Sequence, residues 1–153
     1  MLGDDLCAVS WRARPGSFVG LMTLYESNYI RLGWLVGNLR ALTGAHCSRV
    51  ADDCALKLTV LAHGRYTSML ALTYVFSGNP APADTPDLEV RVYHDARVAE
   101  ARAFGAGGAH NRLRAAPEAG AESLGARWAR NMMLNKWLEY CVDRGHHFGA
   151  PAR

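Results

Sequence analysis

Alternation of apolar and polar positions is strongest in LEVRVYHDARVAEARAF, Leu88 to Phe104. Laid out around a two-residue turn at Asp95 and Ala96, it sets Leu88, Val90 and Val92 opposite Ala103, Ala101 and Ala99, a large-against-small apolar face. The other face is polar: Glu89 meets Arg102, Arg91 meets Glu100 and Tyr93 meets Val98. Each opposite-charge pair across such a ladder contributes about 0.2–1 kcal/mol. The turn lacks the glycine that left-handed hairpin turns favour, and a longer loop would change the register.

Upstream the period is helical. Phe18, Leu21, Met22, Tyr25, Tyr29, Leu32, Val36 and Leu39 recur at steps of three or four, predicting one helix capped by Ser17 and closed by Gly44. From His46 the period becomes two. A short strand around Cys47 to Ala51, a turn at Asp52-Asp53 and a strand from Cys54 to Ala62 follow, the last with Leu56, Leu58 and Val60 on one face. His63-Gly64 turns the chain into Arg65 to Phe76, which is apolar on both parities and predicts a central strand covered on both faces. Pro80, Pro82 and Pro86 make Ser77 to Asp87 a loop, and Gly105 to Gly120 is an Ala/Gly-rich connection. A final helix starts near Ser123, carries Leu124, Trp128, Met132, Leu134, Trp137, Leu138, Cys141 and Val142, and ends at Gly145.

These elements predict a single α+β domain over residues 17–148, a five-stranded antiparallel meander flanked by an N-terminal and a C-terminal helix. Residues 1–16 read as a lead-in and 149–153 as a tail. A chain of 153 residues, 50% hydrophobic, suits one core. A formal charge of +3 permits polyanion binding without demanding it. Cys7, Cys47, Cys54 and Cys141 form no CxxC pair, and acids at Asp4 and Asp5 are unlike a secretory signal, which points to a reducing cytoplasm. Glu26, Asn28, Arg31 and Asn38 interrupt the apolar run from Phe18 to Leu42 and argue against a membrane span.

Tyr93-His94-Asp95 is the sharpest chemical motif, since a carboxylate beside a histidine can hold it in one tautomer as a general base. Adjacent strand residues face opposite ways, so a turn aspartate beside a sheet-end histidine is the favoured reading. The His63-Gly64 and Asp95-Ala96 turns share one end of a meander. Arg65, Tyr66 and His94, with Arg91 farther back, are therefore the candidate ligand-binding residues for a phosphate or carboxylate, weighed against a solvated rim. His146 and His147 near Cys141 lack a second ligand pair and read as cations at an exposed helix end. The cysteines read as small apolar residues on sheet and helix faces. Gly105-Ala106-Gly107-Gly108 lacks the lysine and hydroxyl of a phosphate loop. Arg112, Arg114, Arg127 and Arg130 near Trp128 are a weak RNA signal, since the arginines suit a helix's solvent face. No catalytic residue, metal or cofactor is assigned.

The segments SFVGLMTLYESNYIRL, LKLTVLAHGRYTSMLALTY, EVRVYHDARVAEA and LNKWLEYC resemble the YqiB-like family of small bacterial proteins, a domain of unknown function, over about Ser17 to Arg144. Arg65-Tyr66-Thr67 and the pattern Arg91, Tyr93, His94, Asp95, Ala96, Val98, Ala99, Glu100 are its most specific parts. The resemblance implies a cytoplasmic bacterial protein and supplies no activity. Where the family has Tyr-Pro-Asn and then Asp-Glu-Lys at the start of the final helix, this chain has His110-Asn111-Arg112 and Gly125-Ala126-Arg127, while Asn131 and Trp137 match. The leading expectation is a non-enzymatic binding or adaptor module with a protein partner. The alternative is a small-molecule or nucleotide-phosphate site, with or without hydrolysis, and RNA binding ranks third.

Overall fold

A computed structural model describes residues 17–75, 87–104 and 123–149; the lead-in, residues 76–86, the Ala/Gly connection with Arg112 and Arg114, and the tail from 150 lie outside the described residues. Helix α1 (Phe18–Leu35) opens where Ser17 Oγ accepts the Gly20 N–H at 2.9 Å. It buries Leu21, Leu24, Tyr25, Asn28, Leu32 and Leu35, while Phe18 is left exposed. The helix stops nine residues before Gly44, because the backbone beyond it pairs elsewhere. Phe148 N–H donates to the Leu35 carbonyl and Gly37 N–H to the Phe148 carbonyl, drawing Val36 into an extended conformation. A 3-10 turn, Leu39–Ala41, follows, and Gly44, at φ +74°, leads into a strand and closes no helix.

Strands β1 (Ala45–Ser48), β2 (Ala55–His63), β3 (Thr67–Val75), β4 (Asp87–Tyr93) and β5 (Val98–Phe104) form an antiparallel meander in sequence order. Strand β1 lies earlier than Cys47 to Ala51, and Asp87 belongs to β4 instead of the loop. Leu56, Leu58, Leu70, Leu72, Leu88, Val90, Val92, Ala99 and Ala101 build one continuous core with Leu32 and Leu35 of α1 and Leu134 and Leu138 of α2 (Leu124–Arg144). Both helices therefore cover the same face. The expectation that β3 is covered on both faces is corrected: Met69, Ala71 and Thr73 stay half-exposed, because Arg91, Glu89 and Lys57 flank them in register and need water.

Helix α2 has the predicted ends. Ser123 Oγ accepts the Ala126 N–H, and Gly145 takes the left-handed conformation at φ 97°. Alanines at 99 and 101 let the helices approach β5 closely, and buried amides satisfy its outer edge. Asn131 Oδ1 accepts the Ala101 N–H at 2.7 Å, Asn28 Nδ2 donates to the Ala99 carbonyl, and Arg130 Nε donates to that of Ala101. Asn135 Nδ2 donates to Asn28 Oδ1, tying the helices together. Arg127 and Arg130 are half-buried, not on the solvent face, and Trp128 packs on a second cluster of Leu21, Leu24 and Tyr25. Among the described residues, no helix is long and apolar enough to cross a membrane.

The β4–β5 hairpin keeps its inner register, from Tyr93 opposite Val98 to Val90 opposite Ala101. Its turn is His94–Arg97, four residues instead of two, with Arg97 left-handed at φ 60° and its N–H donating to the Tyr93 carbonyl. A bulge then pairs Glu89 with Ala103 and Leu88 with Phe104, removing the expected Glu89–Arg102 pair. Glu100 accepts from Tyr93 Oη at 3.0 Å and faces Arg102 at 3.6 Å, so the Arg91–Glu100 ion pair gives way to closer partners.

Candidate functional site

A β-bulge builds the site. In β2 the register slips at Leu61, so Val60 lies opposite Leu70 but Ala62 opposite Met69 and His63 opposite Ser68. The slip brings His63 onto the helix-covered side, where strict alternation would have put Ala62. Ser68, buried on that face of β3, then lies between two imidazoles. Its Oγ is 2.7 Å from His63 Nδ1 and 2.7 Å from His94 Nε2, while His63 Nε2 is 2.8 Å from the Leu42 carbonyl. His94 follows Val92 at the same parity, and its N–H donates to the Tyr66 carbonyl at 2.8 Å, which joins the β2–β3 and β4–β5 turns.

Next to this relay is a half-open cleft of about 220 Å³, lined by Tyr29, Leu32, Val36, Leu39 and Val92, with Asn38, Arg40 and His94 among its polar and charged members. Its apolar floor comes from α1 and β4. Arg40 reaches it because α1 ends early and the 3-10 turn carries the side chain across the sheet end, where Nη2 donates to the Arg65 carbonyl at 2.9 Å. A guanidinium has five N–H donors, so this bond leaves most of them for another acceptor. Burial pushes the His94 ring below the ordinary histidine range, with Arg40 and His63 acting in the same direction and Asp95 against them. In this setting the ring is a neutral hydrogen-bonding group, and Arg40 is the fixed positive charge. The volume lies below the roughly 300–1,000 Å³ of drug-sized pockets, which restricts an occupant to a small molecule.

Of the residues singled out by sequence, Arg65, Tyr66 and His94 do meet at one sheet end, but not as a side-chain cluster. Arg65 and Tyr66 offer backbone carbonyls to Arg40 and His94, while the Arg65 guanidinium lies 5.8 Å over the exposed Tyr66 ring. Arg91 occupies the open face, with Nε 3.2 Å from Met69 Sδ. Asp95 accepts the Ala96 N–H, as a turn aspartate does. Sequence reasoning missed Arg40, Ser68 and His63. Ser68 left a readable trace, a hydroxyl at the parity of Leu70 and Leu72.

A second histidine network lies at the opposite end of the sheet. His146, read from sequence as an exposed cation, is buried at 3% exposure. Its Nδ1 is 2.9 Å from Ser48 Oγ and its Nε2 3.1 Å from Asp53 Oδ2, because the turn after α2 folds back over β1 and the β1–β2 turn. Tyr74 Oη also donates to Asp53, and the His147 N–H donates to Ser48 Oγ. Burial alone would raise the Asp53 carboxyl, but hydrogen bonds from His146, the Cys54 backbone and Tyr74 outweigh it and hold it below the usual carboxylate range. Burial pushes the nearby Cys141 thiol up to about 11, so it stays protonated at neutral pH. The order serine, histidine, aspartate is that of a nucleophile relay, yet Ser48 is buried and already accepts a backbone N–H. The cluster ties the C-terminal segment down. Cys54 is half-buried and Cys47 exposed, unlike the apolar role expected of it. Among the described residues, no group of three or more His, Cys, Asp or Glu could hold a metal.

Residues 31–147, about three quarters of the chain, match the model of a family described as protein of unknown function (DUF1249), which bears out the resemblance drawn from sequence. No curated protein and no solved structure matches the chain. The matched stretch contains the whole sheet, Arg40 and both histidine networks.

Proposed function

The chain belongs to this DUF1249 family of unknown function, and we propose that it is a non-enzymatic binding module that holds a small anionic ligand in the cleft between α1, the 3-10 turn and β4. The carrying observation is one guanidinium, Arg40, beside an apolar floor and the neutral ring of His94. An aromatic carboxylate or phosphate monoester fits this lining: its ring covers Leu32, Val36 and Val92, and its anion takes the free Arg40 donors in charge-assisted hydrogen bonds.

Phenylacetate and phenyl phosphate are expected to raise the melting temperature in a concentration-dependent manner. Arg40→Ala abolishes the rise while leaving the unliganded melt nearly unchanged, and Arg65→Ala preserves it because residue 65 acts through its carbonyl. A rise that survives Arg40→Ala overturns the assignment.

A protein partner is the second reading, favoured by Val19, Ile30 and Trp34, all more than half exposed along the outer side of α1. On that reading Ile30→Glu with Trp34→Glu leaves folding intact and removes any protein that copurifies with the unaltered chain. Unchanged copurification excludes this surface.

A further inference from the structure

The relay behind the cleft sets what kind of ligand the cleft accepts. The Leu42 carbonyl can only accept, so in the imidazole tautomer that this bond selects the His63 proton sits on Nε2, 2.8 Å away. His63 Nδ1 is then an acceptor, and the Ser68 hydroxyl donates its single proton to it at 2.7 Å. The same oxygen, with no proton left to give, accepts from His94, whose proton must sit on Nε2. His94 Nδ1 is left as a lone pair. Since Nε2 is committed to Ser68, Nδ1 is the one ring nitrogen that His94 can offer a molecule in the cleft.

We infer that the cleft selects anions that carry their own hydrogen-bond donor, the anion bound by Arg40 and an O–H or N–H of the ligand donated to His94 Nδ1. Hydroxy-substituted aromatic carboxylates are the simplest members of this class. This inference rests on the anion-binding reading above. It makes His63 and Ser68 positioning residues for specificity, although neither lines the cleft. A ligand with an acceptor at that position would meet lone pair against lone pair, and the relay resists the tautomer change that would relieve it.

The test is calorimetric titration of the full chain at about pH 8, above the ordinary histidine pKa of about 6.5. The probes are the 2-, 3- and 4-hydroxyphenylacetates, their methyl ethers, which keep the acceptor and lose the donor, and their fluoro analogues, which control for size. At least one hydroxy acid is expected to bind about tenfold more tightly than both of its counterparts, the value of one hydrogen bond whose loss leaves an unpaired group. Ser68→Ala releases the His94 tautomer, so the ether of that acid gains affinity toward the hydroxy acid, a gain that mere structural damage would not produce. Long-range proton–nitrogen spectra of the unliganded protein should show His94 with Nε2 protonated and Nδ1 bare. Equal binding of acids and ethers, with Arg40→Ala abolishing both, overturns the inference and leaves the anion site standing. No binding by any probe removes the anion site and this inference with it. The opposite His94 tautomer overturns the inference by itself.

Discussion

The two histidine networks use nearly the same parts at opposite ends of one sheet and come to opposite uses. Each places a serine hydroxyl within 3 Å of an imidazole nitrogen. At the β1–β2 end, His146 meets a carboxylate, Asp53, and its side chain is fully enclosed. Both of its nitrogens are used, so the cluster is a clamp. At the other end, among the described residues, no carboxylate bonds to the histidines; a backbone carbonyl ends the chain, and Arg40 is a neighbouring positive charge. In that network burial holds the His94 ring below the ordinary histidine range, one His94 nitrogen is unused, and the ring borders a cleft. Whether a buried acid or a neighbouring cation accompanies the imidazole decides between fastening the chain and receiving a ligand.

The largest expected effect breaks the clamp. Asp53→Ala removes the carboxylate that faces both His146 Nε2 and Tyr74 Oη and should cost about 1–3 kcal/mol in urea denaturation, the range for leaving enclosed polar groups without a partner. A loss below about 1 kcal/mol, as for a surface pair, would show that the two networks do not differ in kind. The matching change at the other end is milder. Ser68→Ala should cost about 1 kcal/mol, because His63 keeps its Leu42 bond and His94, half-exposed, can turn to water.

The pH dependence of stability separates the networks with opposite chemistry. Asp53 has a folded-state pKa below its unfolded value, so its contribution is complete above about pH 3.9 and is lost as pH falls through the folded value. His94 is also depressed, but as a base: protonation favours the unfolded chain, and stability starts to decline as pH drops below about 6.5. Asp53→Asn should flatten the acid limb, and His94→Gln the shallower slope at mildly acid pH. Melting curves across both ranges check this, and a His94→Gln profile identical to that of the unaltered chain would contradict the His94 assignment.

Much of the frame was legible because it depends on local chemistry. Ser17 and Ser123 cap helices, Gly145 ends one, and alternating Leu and Val residues mark the sheet face. The parts that make the site were not legible, for definite reasons. A period of two cannot reveal a one-residue insertion, so the Leu61 bulge that brings His63 to Ser68 is invisible in the pattern. The early end of α1, which frees Arg40, depends on hydrogen bonds with Phe148, more than a hundred residues away. The same separation hid His146 from Asp53, and the buried amides of Asn28, Asn131 and Asn135 looked like ordinary polar positions. Sequence located His94 at the right end of the sheet, and the alternation that sets Arg91 opposite Glu100 on the polar face already separated Arg91 from it.

The central claim, that one histidine network receives a ligand and the other only fastens the chain, is tested most directly by following imidazole nitrogen resonances while phenylacetate is added. His94 is expected to shift saturably, His146 to stay still, and Arg40→Ala to remove the His94 response. A motionless His94, or His94 and His146 shifting together, would contradict it.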